Sequence, residues 1–336
     1  MIKRLIYIFA TLIVVGGVLA WWCYKYATVQ YEYEAVRVNI GAALDANSIE
    51  KLLCDSLGQE YGTHVGTIWK LRGGNAARAH GSYLVKPGET AFKLAMRLRG
   101  GAQDPINVTV PNLRSTDRVI EAIASNFEFS TDSLRAAFNE MLAEKDIDQR
   151  YLPAFILPDT YQYYWTMKPE AFVASIYKQW ENYWTETRRA KSAKLGLTPI
   201  EVSTLASIVE EESAKADERP IIARLYLNRL SKHMKLQADP TVKYAVGDPT
   251  LKRILNVHLT TPSPYNTYII DGLPPSPLRV VDKQTLGAVL DAPEHNYLYM
   301  CAKEDFSGYH NFAKTNAEHA ANARRYHAAL NQRNIK

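Results

Sequence analysis

The stretch TPIEVSTLASIVEEES, residues Thr198 to Ser213, carries the start, the apolar face and the end of one helix. Thr198 is suited to cap the N-terminus, Pro199 to the first helical position, and Glu201 to the closing position of a capping box. At 100° per residue, Val202, Leu205, Ala206, Ile208 and Val209 fall on one face. Glu212 continues that face, four residues beyond Ile208 and three beyond Val209. Glu210 lies at its edge, and Glu211 is predicted to point to water, so that Glu211→Gln should be nearly silent. Burial raises a carboxyl pKa because the charged form loses hydration, and a carboxyl protonated near neutrality is what a general acid requires. The plainer alternative is a solvated acidic helix end, with the glutamates on the unfavourable end of the helix dipole.

Outward from this helix, the chain of 336 residues is long enough for two domains. With 47% hydrophobic and 22% charged residues it excludes a disordered tail, a collagen-like repeat and a disulfide-dense mini-scaffold. Its 21 Tyr suit amphipathic surfaces such as carbohydrate clefts, although core packing explains most of them as well. A net charge of +5 without a Lys/Arg stripe falls short of a nucleic-acid signature. Cys23, Cys54 and Cys301 cannot all pair within one chain. The absence of C-x-x-C spacing and of H-E-x-x-H among His233, His258, His310 and His319 gives no metal site and no cofactor. No G-x-S-x-G elbow surrounds Ser207 or Ser213, and His310 and His319 read as surface or packing histidines.

Leu5 to Tyr24 is an uncharged apolar run whose helical length, about 30 Å, matches a bilayer core. Lys3 and Arg4 precede it and Trp21, Trp22, Tyr24 and Tyr26 end it like an interfacial belt. The run is too long for a cleaved signal and no small-x-small site closes it, so an uncleaved anchor with a cytoplasmic N-terminus is expected. Beyond it, Val36, Val38 and Ile40 read as a strand. A helix follows, capped by Asn47 or Ser48. Gly81–Val85 is a second strand, Pro87-Gly88 a turn, and Thr90 caps a helix with Phe92, Ala95, Met96 and Leu98 on one side. Gly100-Gly101 ends that helix, and Ile106 to Pro111 is a third strand. Further helices are predicted over Ser130–Leu142, Pro169–Trp184 and Thr315–Leu330, with a late buried strand at Leu298–Ala302. Beyond Tyr244, Gly247-Asp248-Pro249, Thr261-Pro262-Ser263-Pro264 and Gly272 to Pro277 read as ordered loops.

Ala206-Ser207-Ile208-Val209-Glu210-Glu211-Glu212 resembles the A-S-I-V-E-K-E segment of the endolytic murein transglycosylases, the MltG or YceG-like family. Leu157-Pro158-Asp159-Thr160-Tyr161 is similar to that family's F-P-D-T-Y. Asn228-Arg229-Leu230 with Met234 to Val242 is similar to N-R-L…M-x-L-Q-x-D-P-T-V, Ser263 to Tyr268 to S-P-Y-N-T-Y, and Gly272 to Pro275 to G-L-P-P. Tyr297-Leu298-Tyr299, His310-x-Phe312, Thr315 and Glu318-His319-x-x-Asn322 resemble its C-terminal block. Pro153-Ala154-Phe155 stands where the family has L-E-G.

The resemblance implies an α+β chain in three parts: a transmembrane anchor over residues 1–26, a small LysM-like α+β domain over 27–110, and a larger mixed α/β catalytic domain over 111–336 that holds the helix with the catalytic Glu. It implies that Glu212 cleaves the β-1,4 MurNAc–GlcNAc bond within peptidoglycan glycan strands, first as acid and then as base, leaving 1,6-anhydroMurNAc ends. It places the chain in the inner membrane as a single-pass protein with its catalytic part periplasmic. Glu210, Gln237, Asp239, Tyr265, Asn266 and Thr267 are candidates for binding substrate or supporting the cleft, because Asp-Pro-Thr and Tyr-Asn-Thr are also ordinary cap and turn chemistry. Asp159 and Thr160 are expected to hold a loop. Two alternatives stand beside the transglycosylase. One is a catalytically silent scaffold that tethers penicillin-binding, division or elongation proteins to the wall. The other is a muramidase-type hydrolase, which a second carboxylate at acid/base distance would favour.

Overall fold

The structure is a computed structural model and describes residues 2–248, 251 and 253–333. Of the residues and ranges named above, residues 1, 249, 250, 252 and 334–336 lie outside the described residues, as do the side chains of Lys3 and Leu5. The chain is mixed α+β and divides into two compact units. The first comprises Met1–Val108, Asn126–Phe129 and Tyr161–Met167. The second comprises Thr109–Ser125, Ser130–Thr160 and Lys168–Lys336.

The first unit opens with α1 (Ile2–Ala27), in which Ile6–Ala27 is long and apolar enough to cross a membrane and none of that segment is buried. Then come β1 (Val36–Ile40), α2 (Ala46–Leu57), α3 (Gln59–Leu71), the single turn α4 (Ala76–Ala79), β2 (Gly81–Val85), α5 (Ala91–Gly100) and β3 (Ile106–Val110). β1 and β2 pair antiparallel with Val38 opposite Tyr83, so that alternate side chains meet α2, α3 and α5 in a core of Ile49, Leu53, Val65, Trp69, Leu94 and Leu98. α2 is capped by Asp45, whose carboxylate accepts from the backbone N–H groups of Asn47 and Ser48, rather than by either of those residues. Asp45 starts the helix earlier because its side chain reaches both orphan donors. Thr90 caps α5 as predicted and Gly101 closes it in the left-handed conformation. Its buried face is Ala91, Leu94, Ala95 and Leu98, while Phe92 is exposed beneath Arg72. Arg97 turns inward to bind Glu89, Asp104 and the Leu84 carbonyl, a buried charge satisfied on several sides.

The second unit is mostly helical, with short strands. It holds α6 (Thr116–Ala124), α7 (Thr131–Glu144), a 3-10 turn (Gln149–Tyr151), α8 (Leu152–Phe155), β4 (Asp159–Tyr163), α9 (Pro169–Tyr183) and α10 (Glu186–Lys194). After these come α11 (Pro199–Glu212), α12 (Arg219–Ser231), α13 (Asp239–Val246), α14 (Asn256–Leu259), α15 (Lys283–Leu290), β5 (Tyr299–Ala302), β6 (His310–Ala313) and α16 (Asn316–Gln332). Residues 106–108 of β3 and 161–163 of β4 belong to the first unit, and the remaining residues of both strands to the second. α11 has the predicted capping box and runs through the interior, in contact with α12, α13 and α15. Every residue from Val202 to Glu210 is buried. Helical neighbours on all sides take the place of the one-sided apolar stripe. The polar positions fit because the hydroxyls of Ser203, Thr204 and Ser207 donate to the carbonyls of Pro199, Ile200 and Thr204. Ser207 Oγ also accepts from the Leu278 N–H at 2.9 Å, which ties the proline-rich loop to the helix. β5 and β6 form an antiparallel hairpin covered by α16, and β5 is half-buried rather than buried.

α2 and α3 approach most closely at Gly62, where an added Cβ would stand 2.5 Å from Cys54 backbone atoms. Gly66, one turn on, would meet only the flexible Glu50 side chain. Gly62→Ala is therefore expected to destabilise the first unit by about 1–3 kcal/mol or more, and Gly66→Ala by clearly less, measured by denaturant unfolding of the full chain.

Candidate active site

α11 ends in three consecutive carboxyl groups, and each is held differently. Glu210 is buried. It accepts from Asn112 Nδ2 at 2.5 Å and the Asp282 N–H at 3.2 Å, with Arg279 Nε at 3.4 Å. It joins two loops to the helix and lines neither of the cavities described below. Glu211 does not point to water: its side chain is only 7% exposed and is gripped by Arg114 and Arg279. A wheel drawn from one helix cannot see the Asn112–Arg114 and Arg279 loops that fold over its outer side. Arg279 also donates to the carbonyl and Oδ1 of Asn112, which closes the cluster.

Glu212 meets no cation at salt-bridge distance among the described residues. The Tyr226 hydroxyl of α12 donates to its Oε1 at 2.7 Å. Burial of the carboxyl pushes its pKa up to about 7. The Tyr226 hydrogen bond and Arg229 pull the other way, and Asp239 and Glu211 add to the rise. The same burial, with the Glu212 charge beside it, pushes the Tyr226 hydroxyl well above the usual phenol range, so it remains a donor.

Glu212 and Asp239 lie on the walls of two cavities. The first, about 370 Å³, adds Arg114, Glu211, Lys243 and Arg253. The second, about 250 Å³, adds Tyr226, Arg229, Gln237, Tyr268, residues of β5 and His310. Asp239 accepts from the Tyr268 hydroxyl at 2.7 Å. Gln237 holds its backbone in the left-handed region (φ 49°) and accepts from Arg229 Nη1 at 3.5 Å. Arg229 is buried and donates to the carbonyls of Leu298 and Leu236.

Of the residues singled out in the sequence, Glu212, Gln237 and Asp239 come together. Tyr265, Asn266 and Thr267 stand behind them. Tyr265 bonds Ser276, and Asn266 ties down the carbonyls of Leu259 and Thr261. Buried Thr267 meets the Ala238 N–H and the Thr241 hydroxyl, fixing the backbone that precedes Asp239. Asp159 is paired with Lys283, and the Thr160 hydroxyl with that of Thr109. Tyr226, Arg229 and Tyr268 were not singled out, and His310, read as a surface or packing histidine, lies on the cavity wall. Arg229, Tyr268 and His310 sit inside the motifs quoted above, which was a usable signal, whereas nothing in the sequence points from Glu212 to Tyr226.

A larger groove of about 1100 Å³ lies at the opposite end of α11. Its acids are already committed: Glu201 to the cap, Asp291 to Lys191 and Glu294 to Arg224. Among the described residues no three His, Cys, Asp or Glu side chains gather so as to hold a metal ion, and Cys23, Cys54 and Cys301 are free thiols.

A desolvated carboxyl on a polar cleft is chemically able to give up and take back a proton near neutrality. The sequence profile of the YceG-like family matches residues 38–325, and the chain belongs to that family. It is 28% identical over 284 residues to a protein of Bacillus subtilis named endolytic murein transglycosylase, covering 79% of this chain and 77% of that one. A protein of the same name from Streptococcus pneumoniae is 33% identical over 159 residues, 45% of this chain and 27% of its own length. The crystal structure of a YceG-like protein from Listeria monocytogenes has the same fold, with a TM-score of 0.56 at 23% identity over 86% of this chain and 98% of that one.

Two expectations follow. Below pH 4.5 Glu212 is neutral in both folded and unfolded chains. Between 4.5 and about 7 only the folded chain keeps the proton, so stability falls as pH rises through that window and is level above it. The difference amounts to about 3 kcal/mol. Glu212→Gln should therefore unfold at higher denaturant than the parent at about pH 8 and at the same concentration at about pH 4. Glu211→Gln, by contrast, should destabilise the second unit by about 1–3 kcal/mol by leaving Arg279 and Arg114 underpaired, read from the same unfolding curves.

Proposed function

We infer that the chain is a membrane-anchored endolytic lytic transglycosylase that cuts the β-1,4 bond between MurNAc and GlcNAc within peptidoglycan strands. The observation that carries this reading is Glu212, an acid with a pKa raised to about 7 at the edge shared by two cavities. The names of the relatives supply the substrate class.

Glu212 starts protonated and gives its proton to the departing GlcNAc O4 as the MurNAc C1–O4 bond breaks. Positive charge builds at C1, and the Asp239 carboxylate on the same walls lies in the cleft where that charge forms. The MurNAc C6 hydroxyl then bonds to C1, and its proton passes to the Glu212 carboxylate, restoring the acid. No water enters and the product carries a 1,6-anhydro ring. Tyr226 keeps the carboxyl oriented between the two steps.

The α1 helix supports an uncleaved anchor in the inner membrane with the N-terminus cytoplasmic and the rest periplasmic. The helices α2 and α3 and the single turn α4 between the antiparallel strands β1 and β2 support a LysM-like glycan-holding domain over residues 27–110, with the catalytic domain over 111–336.

Asp239 beside Glu212 also supports a second reading, hydrolysis, in which it would direct a water to C1. Mass spectrometry of products from uncrosslinked strands incubated with the full chain in detergent separates the two. Internal fragments ending in anhydroMurNAc are expected, and fragments heavier by one water would establish hydrolysis instead. Glu212→Gln should lower cleavage by about a hundredfold to ten-thousandfold with an unchanged circular dichroism spectrum. Full activity in that variant would remove Glu212 from the reaction, and binding without cleavage by the parent chain would favour a scaffold.

A further inference from the structure

His310 of β6 sits on the wall of the same 250 Å³ cavity as Glu212. Its environment is built around one buried acid, Glu218, whose side chain is 5% exposed. Glu218 Oε1 accepts from the His310 backbone N–H at 2.8 Å, and Oε2 accepts from the ring Nδ1 at 2.9 Å. Oε2 also receives the Ser213 hydroxyl at 3.2 Å, and Ser213 is the residue that follows Glu212 at the end of α11. One carboxylate therefore joins the acid-bearing helix to the strand that carries the imidazole.

An ionised carboxylate only accepts hydrogen bonds, so Nδ1 carries a proton toward Glu218 and Nε2 is turned the other way. Nε2 has no protein partner among the described residues. The opposite strand does not cover it: in the hairpin register His310 faces Ala302, the smallest side chain in β5. The other charged groups nearby are occupied elsewhere. Arg229 is spent on backbone carbonyls, and Asp217 accepts from the Tyr309 hydroxyl, with Lys215 and Lys303 over the Tyr309 ring. A buried acid that orients a ring while its second nitrogen is left free on a cavity wall is an arrangement suited to a ligand.

We propose that His310 Nε2 forms a hydrogen bond with a hydroxyl of the sugar seated beside Glu212, with Glu218 as the positioning residue that orients the ring. The proposal rests on the glycan-strand reading above. It adds a substrate contact and requires no proton to leave the ring. The competing explanation is that the pair only clamps the hairpin to α11.

Asparagine places an amide N–H near the position of Nδ1 and has nothing at Nε2. His310→Asn therefore keeps the clamp and deletes the contact. For a substrate contact, kcat/KM on uncrosslinked strands should fall about tenfold to a hundredfold while the unfolding midpoint stays at the parent value. For a clamp alone, His310→Asn would cleave at the parent rate, and the proposal would be overturned.

A second measurement needs no change at His310. In the full-length Glu212→Gln chain with isotope-labelled histidine, uncrosslinked strands should shift the His310 Nε2 resonance and leave Nδ1 nearly still. No shift at saturating strand would overturn the proposal. If the parent chain binds strands without cutting them, the transglycosylase reading fails, and the Nε2 resonance still reports on the contact.

Discussion

Three adjacent carboxyl groups end a helix that is walled in on every side, and the site follows from how each is accommodated. A buried charge needs opposite charge and hydrogen bonds around it, or it gives up the charge. Glu210 and Glu211 take the first course. They draw the loops at Asn112–Arg114 and Arg279–Asp282 onto the helix end. Glu212 takes the second, with only a tyrosine hydroxyl for company. The two glutamates that are neutralised by arginines make the rigid frame in which the third can stay protonated.

The cleft behind Glu212 depends on a similar division of labour. The Asn266 and Thr267 side chains are buried and spent on backbone groups, and they hold the segment that ends in Asp239. Asp239 and Gln237 are thereby placed on the cavity walls. Such packing explains why a run of polar residues in a proline-rich region is ordered although it forms little regular structure.

Local signals in the sequence were legible wherever a helix end or a strand is decided by its own residues. The Thr198 and Thr90 caps, the helices predicted from Ser130 and Thr315, the strands at Val36–Ile40 and Gly81–Val85, and the apolar N-terminal helix all have local causes. α3 was not predicted, since its buried glycines and alternating polar residues make sense only against α2. α10, α12 and α15 were likewise hidden among motif residues and charges. Asp45 captured the cap of α2 from its neighbours because it reaches two donors. In the site, Glu212 could be read from its place on the helix. The burial of Glu211 could not, because it comes from loops distant in sequence, and Tyr226 became a partner only through the packing of α12 on α11.

A pKa near 7 also makes the resting protein a mixture. Molecules that hold the Glu212 proton coexist with molecules that do not, and acidification raises the protonated share. The two populations differ by one charge inside the cleft, and they exchange without any change of fold. The molecule thus samples the acidity of its surroundings through a carboxyl on a cavity wall, and modest acidification enlarges the fraction that carries its proton.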